Sequence, residues 1–423
     1  MIPSRPAVNT PNCQKKEVLF HIEEKSYMIP SLFNCDVWTL FCIYSKRPAI
    51  DNNIRKGGEM VKVHLQQKDT WSLRPTDILF QTVYWSEVKS RLGWKTFAFD
   101  FASLDTEADI LVLLRDFGHG ITGAYIQQGP EYGPPPEHYG LFLEKLSEEM
   151  VKHLDMPISF IRYDLPWESQ YITCADDITK YQGGAIRPEP RLQELRMNFG
   201  TKSWNLRKAA IDITVADAVM IDLARTEAEI LSDMKSKTRY NIRLAKRRGV
   251  EIVSLSIDML PVFYDLYRQT AERNKFFPCS YRYFSALFSA LQSSPDSSEI
   301  YFLIAKHNQE ALAGAIIGIS GKVATYLFGA SSNQRRNLMG PYAVQWAGIL
   351  LAREKGCLAY DMGAVSPTKD KHHPFYGMYR FKTGFGGKII HRSGTWDYPL
   401  DPDKYLVLRN AEALDRGTFR FPF

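Results

Sequence analysis

Between residues 138 and 154 the apolar side chains Leu143, Leu146, Met150 and Leu154 recur at the period of one face of an α-helix. The flanking segments have a different period. "KTFAFDF" (95–101), "DILVLLRDF" (109–117) and "TGAYIQQGP" (122–130) alternate or run apolar over strand lengths, with "GHG" as a turn before the third. "ISFIRYDLPW" (158–167) predicts a fourth strand, and "VYWSEVKSRLGW" (83–94) a short amphipathic helix ahead of the first. The order is helix, three strands, helix, strand.

Residues 168–205 are polar with scattered Pro and Gly, which predicts a loop or insertion leading to a linker. A second unit starts at the strand "VMIDL" (219–223). Thr226 and Glu229 have capping-box spacing and open a helix expected over 227–248, with Gly249 as the residue that stops it. Helices at 260–274 and 282–293, strands at 300–307, 312–320 and 323–331, a helix at 341–356 and a strand at 357–365 follow. "YGMYRFKTGFGG" (376–387) ends in a glycine pair before a strand at 388–400 and a last helix at 403–414. Both halves repeat one order of elements without an evident sequence repeat. It is the order of the GNAT acyltransferase fold, so the expected class is α/β, with mixed sheets in two GNAT-like domains in tandem. The first is expected over 71–215, joined by 396–423, and the second over 216–395, with residues 1–70 a leader or extension outside both.

Composition adds exclusions. With 45% apolar and 24% charged residues the chain falls in the globular class. Its six cysteines form no C-x-x-C pair and no zinc spacing, which fits a reduced, cytoplasmic setting. "MIPSRPAVNTPNCQKK" lacks the apolar core of a signal peptide, and "MIPSLFNCDVWTLFCIYS" is interrupted by Asn34 and Asp36 and too short to span a bilayer. In "RKGGEM" the Lys-Gly-Gly-Glu codons can spell a purine-rich ribosome-binding site, so the natural start is expected at Met60.

A net charge of +6 is modest for this length, and its distribution matters more. "MKSKTRYNIRLAKRRGV" (234–250) carries seven basic side chains and no acidic one. On a helical wheel Ile230, Met234, Thr238, Asn241, Ile242 and Ala245 share one arc, and Lys235, Arg239, Arg243, Lys246 and Arg247 the next. Solvated helix faces usually mix signs, and within this helix no carboxylate stands four residues from any of these cations. Part of the bias serves the helix C-terminus. The rest predicts a surface for a phosphate-rich substrate.

At this point the chain resembles a known family. "ILSDMKSKTRYNIRLAKRRGVEI", "GASSNQRRNLMGPYAVQWAGILLAREKGCLAYDMGAV" and "YRFKTGFGG", with "FQTVYWSEVKSRLGW", "AYIQQGP" and "FIRYDLPW" before them, are similar to segments of the FemABX non-ribosomal peptidyl transferases, in the same order. The likeness runs from about residue 78 to the C-terminus. It implies two GNAT-like domains with the last helix packed on the first, and transfer of an amino acid from aminoacyl-tRNA to the stem-peptide amine of a peptidoglycan precursor. That precursor is either UDP-MurNAc-pentapeptide or lipid-linked, with peripheral contact at the membrane in the second case. No metal or organic cofactor is expected, and the protein is expected to be a monomer. Residues 249–301 have room for two ordinary helices only, as in the compact members without a tRNA-binding arm.

The resemblance also assigns roles. Lys382 matches the lysine that stabilises the oxyanion, Phe381 the aromatic beside the tRNA acceptor end, and Asp164 an acidic residue near the acceptor amine. Lys89 matches a lysine that binds precursor phosphate, and Tyr283 and Tyr326 match tyrosines of the precursor cleft. Where compact relatives place a phosphate-binding arginine this chain has Cys279, with Arg273 and Arg282 nearby, so Arg282 joins the precursor set. Lys235, Arg239, Arg243, Lys246 and Arg247 are assigned to tRNA or phosphate. Two other classes compete. An acyl-CoA-dependent N-acyltransferase holds its donor on a glycine-rich turn before a helix, yet "NQRRNLMGPYA" has one glycine followed by Pro341, which has no amide hydrogen. A non-catalytic RNA-binding protein accounts for the basic helix but not for "RFKTGFGG".

Overall fold

A computed structural model describes residues 62–103, 106–154, 156–171, 187–254, 256–294 and 296–414. The first half contains β1 (Val63–Lys68), α1 (Val83–Arg91), β2 (Lys95–Ser103), β3 (Thr106–Asp116), β4 (Thr122–Ile126), α2 (Tyr139–Val151) and β5 (Phe160–Glu168). Then come α3 (Pro190–Met197), β6 (Arg207–Lys208), β7 (Asp217–Asp222), α4 (Glu227–Asp233), α5 (Ser236–Arg247) and β8 (Glu251–Ser254). The second half continues with α6 (Leu260–Asn274), α7 (Tyr281–Ser289), β9 (Glu299–His307), β10 (Glu310–Ser320), β11 (Val323–Ser331), α8 (Gly340–Glu354) and β12 (Ala359–Ala364). The chain returns through α9 (Tyr376–Lys382), β13 (Lys388–Pro399) and α10 (Pro402–Leu414). No described helix is long and apolar enough to cross a membrane.

The two halves fold alike. β1 to β4 form an antiparallel meander, and β5 adds parallel to β4 after the crossover helix α2. β8 to β11 form a second meander, and β12 adds parallel to β11 after α8. The halves meet on one strand. β13 pairs with β7 through Lys388–His391 and with β5 from Arg392 to Pro399, so a single sheet runs through both halves. Between Arg392 and Gly394 the register shifts, and Gly394 takes φ +73°, which favours glycine. Pairing with β5 thus begins ahead of the expected join at residue 396.

A core cluster also crosses between the halves. Val83, Trp85 and Val88 of α1 pack in one apolar cluster with Phe263 of α6 and Tyr283 and Phe284 of α7, all buried. Each fully buried large apolar side chain contributes roughly 1.5–3 kcal/mol, so this cluster binds first-half and second-half elements into one body.

The structure corrects several expectations. Val63–Lys68, inside the segment assigned to a leader, is an edge strand whose Val63 and Leu65 face the core while His64 faces solvent. Residues 1–59 lie outside the described residues. The segment 168–205 is not only loop, because α3 buries Gln193 and Met197. β8 was not anticipated in "EIVS". The helix expected over 227–248 is two helices. The capping box of Thr226 and Glu229 forms, but Met234 and Lys235 are extended, with ψ 148° and 143°. Lys235 N–H bonds the Gly384 carbonyl at 2.9 Å rather than a carbonyl of its own helix.

The last helix is fixed by buried charge. Arg162 on β5 donates from Nε to Asp397 Oδ1 at 2.6 Å and from Nη1 to Glu412 Oε1 at 2.6 Å, and Tyr405 Oη donates to Asp397 at 2.9 Å. All four side chains are buried. Arg162→Met strands two carboxylates in the interior, so the expected loss is about 3–5 kcal/mol, against about 1 kcal/mol for Tyr405→Phe, which removes one hydrogen bond. Urea denaturation of both variants checks this, and equal losses contradict it.

Candidate active site

Parallel pairing of β11 with β12 covers only Val323–Thr325 against Ala359–Asp361, after which β11 continues to Ser331 paired with β10 alone. The two strands splay apart beyond that point, and Lys382, the last residue of α9, sits beside the opening. Its Nζ donates to the Ala364 carbonyl at 2.8 Å and lies 5.8 Å from the Tyr326 ring centre. Gly363, with φ +70°, turns β12 beneath it, and a Cβ there would lie 3.6 Å from Nζ. Burial pushes the Lys382 ammonium down to about 8, while Asp361 opposes that shift. Asp361 is itself held by Gly363 N–H at 2.7 Å and Arg392 Nη2 at 2.8 Å. Beside the lysine, the Phe381 ring lies 5.2 Å from both Tyr342 and Phe385, edge to face.

The basic helix abuts this place. Lys235 Nζ donates to Thr383 Oγ1, one residue past Lys382, at 3.0 Å. Burial lowers the Lys235 pKa, helped by the cations Lys369 and Arg380. Thr238, Asn241, Ile242 and Ala245 are the buried face of α5, as the wheel predicts, and Arg243, Lys246 and Arg247 are exposed. Arg239 departs from the expected surface. It turns back on α4 and donates to the carbonyls of Leu231, Ser232 and Met234, the orphan acceptors of a helix end.

Lys89 occupies a second site. It is buried on α1, with Nζ 5.0, 5.3 and 5.6 Å from the ring centres of Trp85, Trp94 and Tyr283, and among the described residues Nζ makes no hydrogen bond. Burial pushes it down to about 7, with Cys279 opposing and Arg115 assisting. Cation–π contacts of up to about 2 kcal/mol each when desolvated do not fully offset a burial penalty of several kcal/mol per ion, consistent with that direction. Lys89 lines a small cavity open to solvent, shared with Trp94, Tyr125, Gln127, Phe160 and Arg162. Trp94 Nε1 is buried there without a hydrogen-bond partner. Of the expected precursor residues, Tyr283 joins Lys89 and Tyr326 joins Lys382. Arg282 instead donates to the Arg91 carbonyl at the end of α1, at 2.8 Å.

Asp164 is bound on both oxygens. Tyr125 Oη and Thr214 N–H donate to Oδ2, the latter at 3.2 Å, and Thr395 Oγ1 donates to Oδ1 at 2.5 Å. Burial raises its pKa despite these donors. It holds Tyr125 in the wall of the Lys89 cavity and ties β5 to β13. The motif matches did not single out Trp94, Tyr125, Asp361 or Arg392. Trp94 lies inside a quoted motif, whereas Asp361 and Arg392 stand 31 positions apart and meet only through strand pairing.

Comparison with known proteins follows the same lines. The model of the FemAB family matches residues 67–308 and 296–413. The lipid II:glycine glycyltransferase of Staphylococcus saprophyticus is 24% identical over 403 residues, covering 80% of this chain and 92% of that protein. The enzyme of the same name from Staphylococcus aureus is 23% identical over 252 residues, covering 44% of this chain and 60% of that one. A crystal structure of FemX superposes with a TM-score of 0.62 at 18% identity, covering 80% of this chain and 96% of the other, a likeness of fold.

The Lys89 pKa carries a prediction for stability. Its folded value, about 7, lies below the ordinary 10.5, so between these pH values the unfolded chain holds a proton that the folded chain has released. Stability from this group therefore rises with pH across that window, and the penalty is fully present below it. Lys89→Met is expected to stabilise the protein at pH 6 by on the order of 2–4 kcal/mol, with the gain fading toward pH 10. Denaturation midpoints of both proteins across pH 6–10 test this, and a pH-independent difference would refute it.

Proposed function

The chain belongs to the FemAB family, and from that premise we propose that it is an aminoacyltransferase moving an amino acid from aminoacyl-tRNA to the stem-peptide amine of a peptidoglycan precursor, in the cytoplasm. The name shared by its relatives supports a lipid-linked precursor and makes glycine the first amino acid to try. The observation that carries the reading is the position of Lys382: a buried cation at a strand splay, with a basic helix bonded to the next residue in sequence.

The chemistry asks little of the protein. An aminoacyl ester is already activated, so catalysis consists of holding a neutral amine about 3 Å from the ester carbonyl and stabilising the oxyanion. The nitrogen–carbon bond forms, the ester carbon–oxygen bond breaks, and the ribose hydroxyl of the tRNA leaves with the proton the amine sheds. Lys382 is the oxyanion cation in this scheme, active while protonated. Phe381 and Tyr342, both partly exposed, offer aromatic faces to the unpaired bases at the tRNA acceptor end, with Phe385 buried behind them. Lys235, Arg243, Lys246 and Arg247 meet its phosphates. Lys89 faces the precursor diphosphate, whose negative charge would raise the lysine back toward full protonation. Asp164 is a positioning residue, acting through Tyr125.

The acyl-CoA reading is less well supported. In the turn before α8 the amides of Leu338, Met339, Tyr342 and Ala343 already bond carbonyls of the same turn, and Gly340 packs so that a Cβ would lie 2.8 Å from that of Leu312. Few amides remain there to cradle a pyrophosphate.

Transfer from a panel of charged tRNAs to soluble and lipid-linked precursors, with acetyl-CoA as control, tests the proposal, and acylation from CoA alone overturns it. Lys382→Ala is expected to lower turnover by at least about a hundredfold with the fold intact, the scale of losing one oxyanion donor. Lys235→Glu with Arg243→Glu and Lys246→Glu should weaken tRNA binding and flatten its salt dependence, by a log–log slope of about 0.7–0.9 per lost phosphate contact. An unchanged slope counts against this surface.

A further inference from the structure

α3 has two faces that both carry apolar residues. Gln193 and Met197 point into the core, while Leu192, Leu195 and, one turn on, Phe199 form a stripe on the opposite side that is open to solvent. Phe199 is 77% exposed, Trp204 in the following loop 46% and Leu195 49%. A second element lies beside α3: Arg409 of α10 reaches Glu194 of α3 at 3.4 Å, and α10 exposes Leu406 and Val407 to 56% and 55%, with Asp403 exposed on the same helix. Exposed apolar side chains gathered on α3 and the loop after it mark an interaction surface.

The charges around it narrow the partner. On the wheel Arg191 and Arg196 flank the Leu192–Leu195–Phe199 stripe, one on each side, and Lys202 stands between Phe199 and Trp204 in the loop. All three are exposed. The nearest carboxylate on α3, Glu194, is already engaged by Arg409 and by the Lys208 N–H at 3.0 Å. Exposed Phe and Trp between arginines is the composition of a surface that rests in the headgroup layer of an anionic bilayer, rings at the acyl boundary and cations among phosphates. A second copy of the chain fits less well, because a two-fold contact would set these arginines against their own kind.

The patch lies close to the precursor cavity. Phe160 and Arg162 line that cavity and also hold α10, through the Tyr405 ring at 6.2 Å and the Glu412 carboxylate. The outer side of α10 is therefore about one helix diameter, roughly 10 Å, from the cavity wall. We propose that Leu192, Leu195, Phe199 and Trp204, with Leu406 and Val407 of α10, are a docking surface for an anionic lipid bilayer. There the enzyme works on an acceptor that stays in the membrane. The choice of acceptor rests on the function proposed above; the surface itself does not.

The test uses the full chain and vesicles of phosphatidylcholine, alone or mixed equally with phosphatidylglycerol. The wild type is expected to co-sediment with the mixed vesicles and much less with the neutral ones. Phe199→Ser with Trp204→Asn should weaken that binding roughly tenfold or more, and Arg191→Glu with Arg196→Glu should abolish the preference for anionic lipid. Both variants change exposed positions, and Arg196 gives up one weak contact, over the Tyr171 ring at 5.3 Å, so their thermal midpoints should stay within a few degrees of the wild type. Transfer to a soluble precursor should be unchanged in both, and transfer to a vesicle-embedded acceptor should fall. Wild-type protein that ignores both vesicles, vesicle binding that neither variant alters, or a dimer that the first variant dissociates each overturns the proposal. Vesicle binding that depends on these residues supports it even if no transfer to any precursor is found, a result that would sink the functional reading alone.

Discussion

Everything in this fold hangs on the hydrogen-bonding of one strand. β13 offers one stretch to β7 and the next to β5, so two half-sheets become one sheet. A strand in that position cannot move with either half independently. The polar residues cluster at its crossing point. His391 Nδ1 lies 2.7 Å from Asp217 Oδ1, Arg392 bonds Asp361, and Thr395 bonds Asp164, all buried. Both carboxylates that face the two candidate sites are thus held from the same strand. Asp361 tunes Lys382 in the second half, and Asp164 positions Tyr125 in the first.

The two lysines illustrate how surroundings set the state of one side chain. Burial pushes both down, but Lys382 has a carbonyl at 2.8 Å and a carboxylate nearby to hold its proton, whereas Lys89 has three aromatic faces and no hydrogen-bond acceptor among the described residues. A cation that keeps its proton suits an oxyanion that appears briefly and must be met at once. One near neutrality suits a substrate that brings its own charge, because the substrate then supplies the protonation energy.

Much of the fold was legible because the helices and strands here obey their periods. α6 and α8 bury the residues their spacing selects, and the repeated order of three strands, helix and strand gave the class before any contact was known. The site was legible only in part. Lys382 and Lys89 stand in motifs, and Trp94 shares the motif of Lys89, but Asp361, Arg392 and Tyr125 reach the two sites through strand registers that no local pattern encodes. Arg282 and Arg239 looked like surface cations and are engaged with backbone carbonyls, since a helix end with orphan acceptors competes for any guanidinium within reach. β1 and α3 are not legible in the pattern, because a short edge strand has few apolar positions and the apolar residues of α3 do not gather on one face.

The break between α4 and α5 is the departure with the most consequence. Local propensity favours one helix through 227–248: the capping box is in place, and no Pro or Gly interrupts it. In a continuous helix Lys235 would give its N–H to Leu231 and point wherever the wheel sent it. The carbonyl of Gly384 takes that N–H instead, and Arg239 is drawn back to satisfy the acceptors that the break leaves open on α4. One arginine is withdrawn from the basic face as a result. In exchange α5 starts afresh at Ser236, with its N-cap Lys235 bonded beside Lys382 and its exposed cations leading away from it. Where a sequence breaks a local rule and tertiary contacts hold the break in place, the rule has yielded to something the site needs. On the function proposed above, that is the direction from which the phosphates of the tRNA would approach Lys382.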